Sequence, residues 1–211
     1  MSDNMSLLFG APLWTFQLSD SVSLNAELID AVAVEMKSDP GVRVSNRGGW
    51  QSHGKLHLKQ GFRGLVDFIA SRLGGVGKDY GFGQASDRLR VTSMWANVNN
   101  CGSSNIVHSH QSPAGMPNPL VLSGCYYVKV PDNSGALVLE DFGRPMRYLQ
   151  LPFQETNVIN SYTVKVPPRE GSLLLFPSWI EHHVEENKSS EQRISIAFNI
   201  ACMTAAPQPA R

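Results

Sequence analysis

The sequence predicts an α+β chain, mainly β, whose core is a β-sandwich or jelly roll with N-terminal helices packed on one sheet. Three observations carry this. Two segments with apolar residues at three- and four-residue steps lie before residue 80. From residue 89 onward the period drops to two, and short apolar runs follow one another between turn sequences. The chain holds 13 prolines and 18 glycines in 211 residues, which suits many short strands and is too little for disorder. At this length one domain can bury an ample core. We divide residues 1–211, a single domain, into a helical annex with the first strand (1–86), a jelly-roll core (87–203) and a frayed tail (204–211).

The elements follow in order. Residues 7–18 read as a strand broken by Pro12. A helix is expected over 25–36, with Leu28, Ile29, Val32 and Met36 on one stripe and Asp39-Pro40 as its end. Residues 43–55 are polar and glycine-rich and read as a loop. A second helix is expected over 60–73, with Phe62, Leu65, Phe68, Ile69 and Leu73 apolar and Gly74-Gly75 as its stop. Leu89, Val91, Ser93 and Trp95 then alternate with Arg90, Thr92, Met94 and Ala96, which is strand patterning. Further strands are expected at 119–130, 135–141, 146–152, 158–167, 171–176 and 192–202, with turns at 132–135, 167–171 and 186–192. On the last strand Arg193, Ser195, Ala197 and Asn199 share a face fit for a polar cavity. Ile194, Ile196, Phe198 and Ile200 share the other, fit for packing under the helices.

Charge and cysteine content narrow the function. Eighteen basic and 18 acidic residues give a net charge of zero, so nothing steers nucleic acid or an anionic membrane to this chain. No apolar run approaches the roughly 20 residues of a membrane span, and no signal peptide is legible at residues 1–10. Cys101, Cys125 and Cys202 form no C-x-x-C pair, which argues for a reducing compartment. A cytoplasmic protein is expected.

His108 and His110 stand two apart, so on an extended strand both imidazoles share one face and make half a metal site. The other half is expected from 179–184, W-I-E-H-H-V, just past the apolar strand 171–176. Adjacent residues on a strand face opposite ways, so one of His182 and His183 can be a ligand. His182 is favoured, and His183 is expected to face solvent or to support the ligands. Arg193 follows in R-I-S. Facing a cavity, it would need an anion, naturally a carboxylate held bidentately, with Ser195 adding a bond from the same face. On the surface it would pair with Glu185, Glu186 or Glu191.

Taken together, H-S-H, the distal histidine after G-S-L-L-L-F and R-I-S resemble the iron(II)/2-oxoglutarate dioxygenases. S-N-R-G-G-W-Q-S (45–52), L-S-G-C-Y-Y-V-K-V-P and F-P-S-W-I-E-H-H-V, with R-I-S-I-A-F-N (193–199), resemble more narrowly a branch of that superfamily from marine bacteria and their phages. With the opening L-F-G-A-P-L-W, the similarity covers nearly the whole chain. It implies a double-stranded β-helix core, Fe(II), O2, and 2-oxoglutarate as small-molecule co-substrate, decarboxylated to succinate as a substrate is hydroxylated. It also implies that His108 and His182 are metal ligands and that Arg193 and Ser195 grip the distal carboxylate of 2-oxoglutarate. Tyr127 matches a tyrosine that bonds the same cofactor, whereas Tyr126 points the other way and is expected in the core.

One position departs from the pattern. The usual triad is two histidines and a carboxylate, yet His110 stands where Asp or Glu is expected. Three readings stay open: a three-histidine site; a carboxylate from Asp141, or less readily Glu140; or a metal other than iron, such as zinc, copper or nickel. Asp141 could equally orient an imidazole or cap the turn at 143–144. Asn97 is expected to line the cofactor or substrate pocket, or else to serve as a turn residue. Trp50-Gln51-Ser52 would contact substrate if its loop folds over the site. A cupin-like three-histidine protein that does not use 2-oxoglutarate is the alternative, although Ser112, Pro113 and Ala114 stand where a cupin wants glutamate. A binding module without turnover is the third reading. The substrate, a peptidyl side chain or a metabolite, is not legible.

Overall fold

The computed structural model describes residues 10–141, 143, 148, 151–157 and 159–204. Among these, eleven strands form two facing antiparallel sheets, and two helices cover the outside of one. The strands are β1 (Trp14–Gln17), β2 (Asn46–Arg47), β3 (Trp50–Gln51), β4 (Leu89–Asn99), β5 (Ser104–His108), β6 (Leu120–Lys129), β7 (Leu137–Glu140), β8 (Thr163–Val166), β9 (Ser172–Pro177), β10 (Glu181–Val184) and β11 (Arg193–Cys202). The larger sheet runs β1-β9-β6-β11-β4-β3 and the smaller β2-β5-β10-β7-β8. This is the jelly roll that the strand periodicity predicts.

The helices are α1 (Ser21–Ser38) and α2 (Arg63–Asp79). Their buried stripes meet Met94, Ala96, Val98, Leu122, Tyr126, Leu173, Ile196 and Phe198 in one apolar cluster on the outer face of the larger sheet. Tyr126 belongs to this cluster, as expected, and its hydroxyl donates to Asn25 Oδ1 at 2.7 Å. A second, smaller cluster around Tyr127, Leu137, Leu174, Phe176 and Ile180 closes the space between the sheets.

Several local expectations are corrected. The buried stripe of α1 is Asn25, Leu28, Val32 and Glu35, while Ile29 and Met36 are exposed. Helix α2 starts after Phe62 and runs through Gly74-Gly75 to Asp79, because Val76 continues the stripe of Leu65, Ile69 and Leu73. Burial there outweighs a helix-propensity cost of about 1 kcal/mol per glycine. Gly77 is required by contact: a Cβ would lie 2.5 Å from Ser86 Oγ. The alternation read in β4 shifts phase midway. Asn199 opposes Ser93 and Ile200 opposes Val91, so Thr92 is an extra residue in the ladder. Leu89 and Val91 thereby join Met94 and Ala96 on the helix side, leaving Ser93, Trp95 and Asn97 facing inward.

The segment read as a loop over 43–55 contains β2 and β3, one on the edge of each sheet. Gly48 and Gly49, with φ of 66° and 66°, make the turn between them. The extended stretch assumed around His108 is β5, which ends at His108, and the strand alternation applied to His182 and His183 holds in β10. The strand expected at 146–152 falls mostly outside the described residues, as do 7–9 of the first strand, residue 158, Arg144 and all but Thr204 of the tail.

Candidate metal centre

Strands β5 and β10 pair antiparallel, with His182 directly opposite His108. Just past the end of β5, the His110 N–H donates to the Ser178 carbonyl at 2.9 Å, which holds that stretch against the turn before β10. One ring nitrogen from each of His108, His110 and His182 lies within 4.8 Å of the others. Ring centroids are 4.4 Å apart for His108 and His182, and 5.0 Å for each to His110.

In all three residues Nδ1 is already engaged. His108 Nδ1 meets the Ile106 carbonyl at 2.8 Å and His182 Nδ1 the Ile180 carbonyl at 2.9 Å. His110 Nδ1 meets Asn199 Oδ1 at 2.7 Å and Ser123 Oγ at 2.9 Å. Carbonyl oxygens only accept, so Nδ1 carries the proton and each Nε2 keeps a lone pair for the shared space. Burial lowers the pKa of His108. Burial and the neighbouring His108 push His110 down to about 4 and His182 down to about 3, against the opposing pull of their oxygen partners. At neutral pH the cluster is three uncharged imidazoles. Such a donor set suits a divalent transition metal, iron(II) among them.

Asp141, the alternative carboxylate, lies outside this group; its Oδ1 accepts from the Gly143 N–H at 3.1 Å. Glu140 takes the His183 Nδ1–H at 2.8 Å, on the face of β10 opposite His182.

The other inward residues come from the larger sheet in cross-strand rows. Gln51, Asn97, Ser195 and Tyr127 are register partners in turn, and form one row. Ser93, Asn199 and Ser123 form another, with Asn199 Nδ2 donating to Ser93 Oγ at 3.1 Å. His108, His110, His182, Asn97, Arg193 and Ser195 line one cavity. Arg193 is buried, and its Nη1 donates to the carbonyls of Ser134 and Gly135 at 3.1 Å each. Among the described residues no carboxylate pairs with it, and its Nε is buried without a partner. Lys165 takes Glu185 and Lys129 takes Glu191, so the surface pairing of Arg193 is not made. Burial pushes the guanidinium pKa down, partly offset by Tyr127 and Cys125. A desolvated cation of this kind calls for an anionic ligand. The cavity therefore offers neutral nitrogen donors at one end and an unneutralised guanidinium at the other. That fits a metal chelated by a dianionic oxo-acid.

The structure adds residues that the sequence reading left without roles. Asn199 and Ser123 hold His110; both stood on polar strand faces, which was the available signal. Trp95 meets His110 edge-on at 5.4 Å and Phe176 meets His182 at 5.1 Å. Cys125 lies in the cavity wall, its thiol pKa raised to about 11 by burial. A groove of about 460 Å³ opens from His108 and His110 to the surface beneath residues 42–54. A larger cavity, about 850 Å³, is a surface cleft lined by Pro131, Asp132, Pro168 and Glu185 among others, and none of the three histidines borders it.

Comparison with known proteins gives the same picture. The chain resembles, at 12% identity and a TM-score of 0.59, a viral collagen prolyl hydroxylase of Paramecium bursaria Chlorella virus-1 solved with 2OG; the match covers 90% of this chain and 96% of that one. The nogalamycin-biosynthesis epimerase SnoN, solved with Fe3+, alpha ketoglutarate and nogalamycin RO, aligns at 15% identity and 0.64, over 90% and 78%. A Trichoplax adhaerens prolyl hydroxylase, solved with a hypoxia inducible factor peptide fragment, aligns at 17% and 0.56, over 90% and 83%. At these identities the likeness establishes the fold, a double-stranded β-helix. No curated protein matches the sequence. The family model described as “Putative 2OG-Fe(II) oxygenase” matches residues 93–199, half of the chain, including all three histidines, Arg193 and Ser195. The chain belongs to the 2OG-Fe(II) oxygenase family and is an iron(II)- and 2-oxoglutarate-dependent oxygenase.

Proposed function

We propose that His108, His110 and His182 hold the iron(II) of this oxygenase through Nε2, with no carboxylate in the ligand set. Arg193, with Ser195 and Tyr127, holds the far carboxylate of 2-oxoglutarate. One observation carries this reading: three neutral imidazoles with engaged Nδ1 atoms share a cavity with a buried guanidinium that lacks a carboxylate partner among the described residues. Bound iron supplies the redox chemistry that couples O2 and 2-oxoglutarate to substrate oxidation, giving succinate and CO2.

The chain's own residues bind and orient. Asn199 and the Ile106 and Ile180 carbonyls fix the imidazole planes, so the three lone pairs are aimed before metal arrives. The Ser134 and Gly135 carbonyls fix the guanidinium. Phe176, Trp95 and Tyr127 keep water from the cavity walls. The whole of 1–211 acts as one catalytic unit, since α1 and α2 pack on the sheet whose inner face bears Arg193. A reducing, cytoplasmic setting agrees with three free cysteines. The substrate is a peptidyl side chain or a metabolite, since one structural neighbour holds a peptide fragment and another nogalamycin RO.

The test is anaerobic titration of the iron(II)-loaded protein with 2-oxoglutarate, read by the visible metal-to-ligand charge-transfer band. The band is expected in the parent. His110→Ala is expected to lose most of its iron. Full iron retention in that variant would remove His110 from the ligand set and return Asp141 to it.

A further inference from the structure

The groove beneath residues 42–54 carries information about the substrate. Its described lining holds no aspartate, glutamate, lysine or arginine, and its mouth is apolar, with Val44 and Ile106 exposed at 66% and 43%. A charged group entering it would lose water and gain no counter-charge. Gln51 stands in its wall. That residue is only 7% exposed, yet neither end of its side-chain amide has a hydrogen-bond partner among the described residues, and Oε1 is fully buried. Its register partner Asn97 repeats the pattern, 7% exposed with an unpartnered buried Oδ1. Two adjacent buried carboxamides with open valences are costly unless a ligand completes them.

The wall is also rigid. Asp39 accepts from the backbone N–H groups of Gly41 and His53 at 2.8 and 2.9 Å, and its carbonyl takes the Trp50 indole N–H at 3.0 Å. Those bonds tie both ends of the segment to the end of α1. At Gly41, φ is 81° and a Cβ would lie 2.7 Å from the Trp50 ring, so the tie needs glycine there. The backbone that carries Gln51 is held in place before anything binds.

We propose that Gln51, seconded by Asn97, is the substrate-positioning residue, and that the substrate is a neutral molecule presenting an amide N–H to it. The proposal rests on the oxygenase reading, since it takes the groove as the approach to the metal. Gln51 accepts the N–H of one amide and its own NH2 meets the C=O of the next, since the two groups of a single trans amide point opposite ways; the C–H bond between them is thereby oriented toward His108 and His110.

The experiment uses protein loaded with zinc(II) and 2-oxoglutarate, so that nothing turns over, and ligand-observed saturation-transfer NMR. Three probes are compared: N-acetylalanine methylamide; O-acetyl-lactic acid methyl ester, the same skeleton with both N–H groups replaced by oxygen; and N-acetylaspartate methylamide, which adds a charge. The neutral amide is expected to bind about tenfold more tightly than the ester or the charged amide. Gln51→Leu is expected to erase the amide-over-ester preference. If that variant does not fold, Gln51→Met, of matching length, carries the same expectation. Equal binding of amide and ester, no binding of any probe, tighter binding of the charged amide, or a preference that survives the loss of Gln51 each overturns the proposal. The charge-transfer band of the parent with iron(II) and 2-oxoglutarate reports the oxygenase reading separately, so either idea can fail alone.

Discussion

The two faces of β11 are buried to nearly the same depth and do opposite things. Toward the helices stand Ile194, Ile196, Phe198 and Ile200, between 0% and 6% exposed; toward the cavity stand Arg193, Ser195 and Asn199, between 2% and 8%. The first set is complete in itself, since apolar contact needs nothing further. The second ends in groups with unfilled bonding capacity, Arg193 Nε and the neighbouring Asn97 Oδ1. Burial alone therefore does not distinguish scaffold from site. What distinguishes them is whether the buried atoms are satisfied without a ligand.

Substitutions on the two faces should separate stability from binding. The largest effect is expected from Phe198→Ala, which removes a fully buried ring packed over Gly124. It should cost about 3–5 kcal/mol in urea unfolding while the remaining folded protein keeps its affinity for 2-oxoglutarate. Arg193→Met should do the reverse. Affinity for 2-oxoglutarate, read by the charge-transfer titration, should fall at least ~100-fold. The unfolding midpoint should hold or rise, because an unneutralised buried cation is exchanged for an apolar chain of similar length. Loss of stability in both variants would erase the contrast. Next comes Asn199→Ala, which frees His110 Nδ1. Iron affinity should drop about 10- to 100-fold by competition with a chelator, with little change in affinity for 2-oxoglutarate at saturating iron.

The smallest effect per step is with pH. His110 and His182 have folded pKa values of about 4 and about 3, below the ordinary 6.5. Below 6.5 the unfolded chain therefore binds more protons than the folded one. Metal-free protein should be most stable above pH 6.5. Its stability should then fall by up to about 1.4 kcal/mol per pH unit per imidazole as pH drops toward those values. Mutating either histidine to Gln should flatten the slope, measured by urea unfolding at pH 7, 6 and 5.

The same contrast explains what the sequence made legible. The alternation in 193–199 identified both faces of β11, because a strand buried on two sides by different chemistry writes that difference residue by residue. His108, His110 and His182 could be singled out because a distal histidine pair and long motif phrases stand beside H-S-H, which alone is a weak signal. Thr92 was missed: an extra residue in a ladder has no local signature, and the phase of β4 was read straight through it. Gly74-Gly75 misled for the opposite reason, since local propensity there yields to the burial of Val76. Gln51 and Asn199 could be seen as polar residues but not as partners. Their meaning depends on which strands lie next to theirs, and β3 and β5 are too short or too irregular to announce themselves.

Strand order has a consequence for how the protein is made. In the larger sheet β11 lies between β4 and β6, yet it follows every other described strand along the chain. During synthesis β4 and β6 emerge with a vacant slot between them, each showing an unpaired edge of the kind that invites pairing with other chains. No earlier described strand occupies that slot, so the sheet is completed by the strand that carries Arg193. A chain halted before this strand has an open sheet and lacks Arg193. Completion of the sheet and arrival of the buried guanidinium in the cavity are one event.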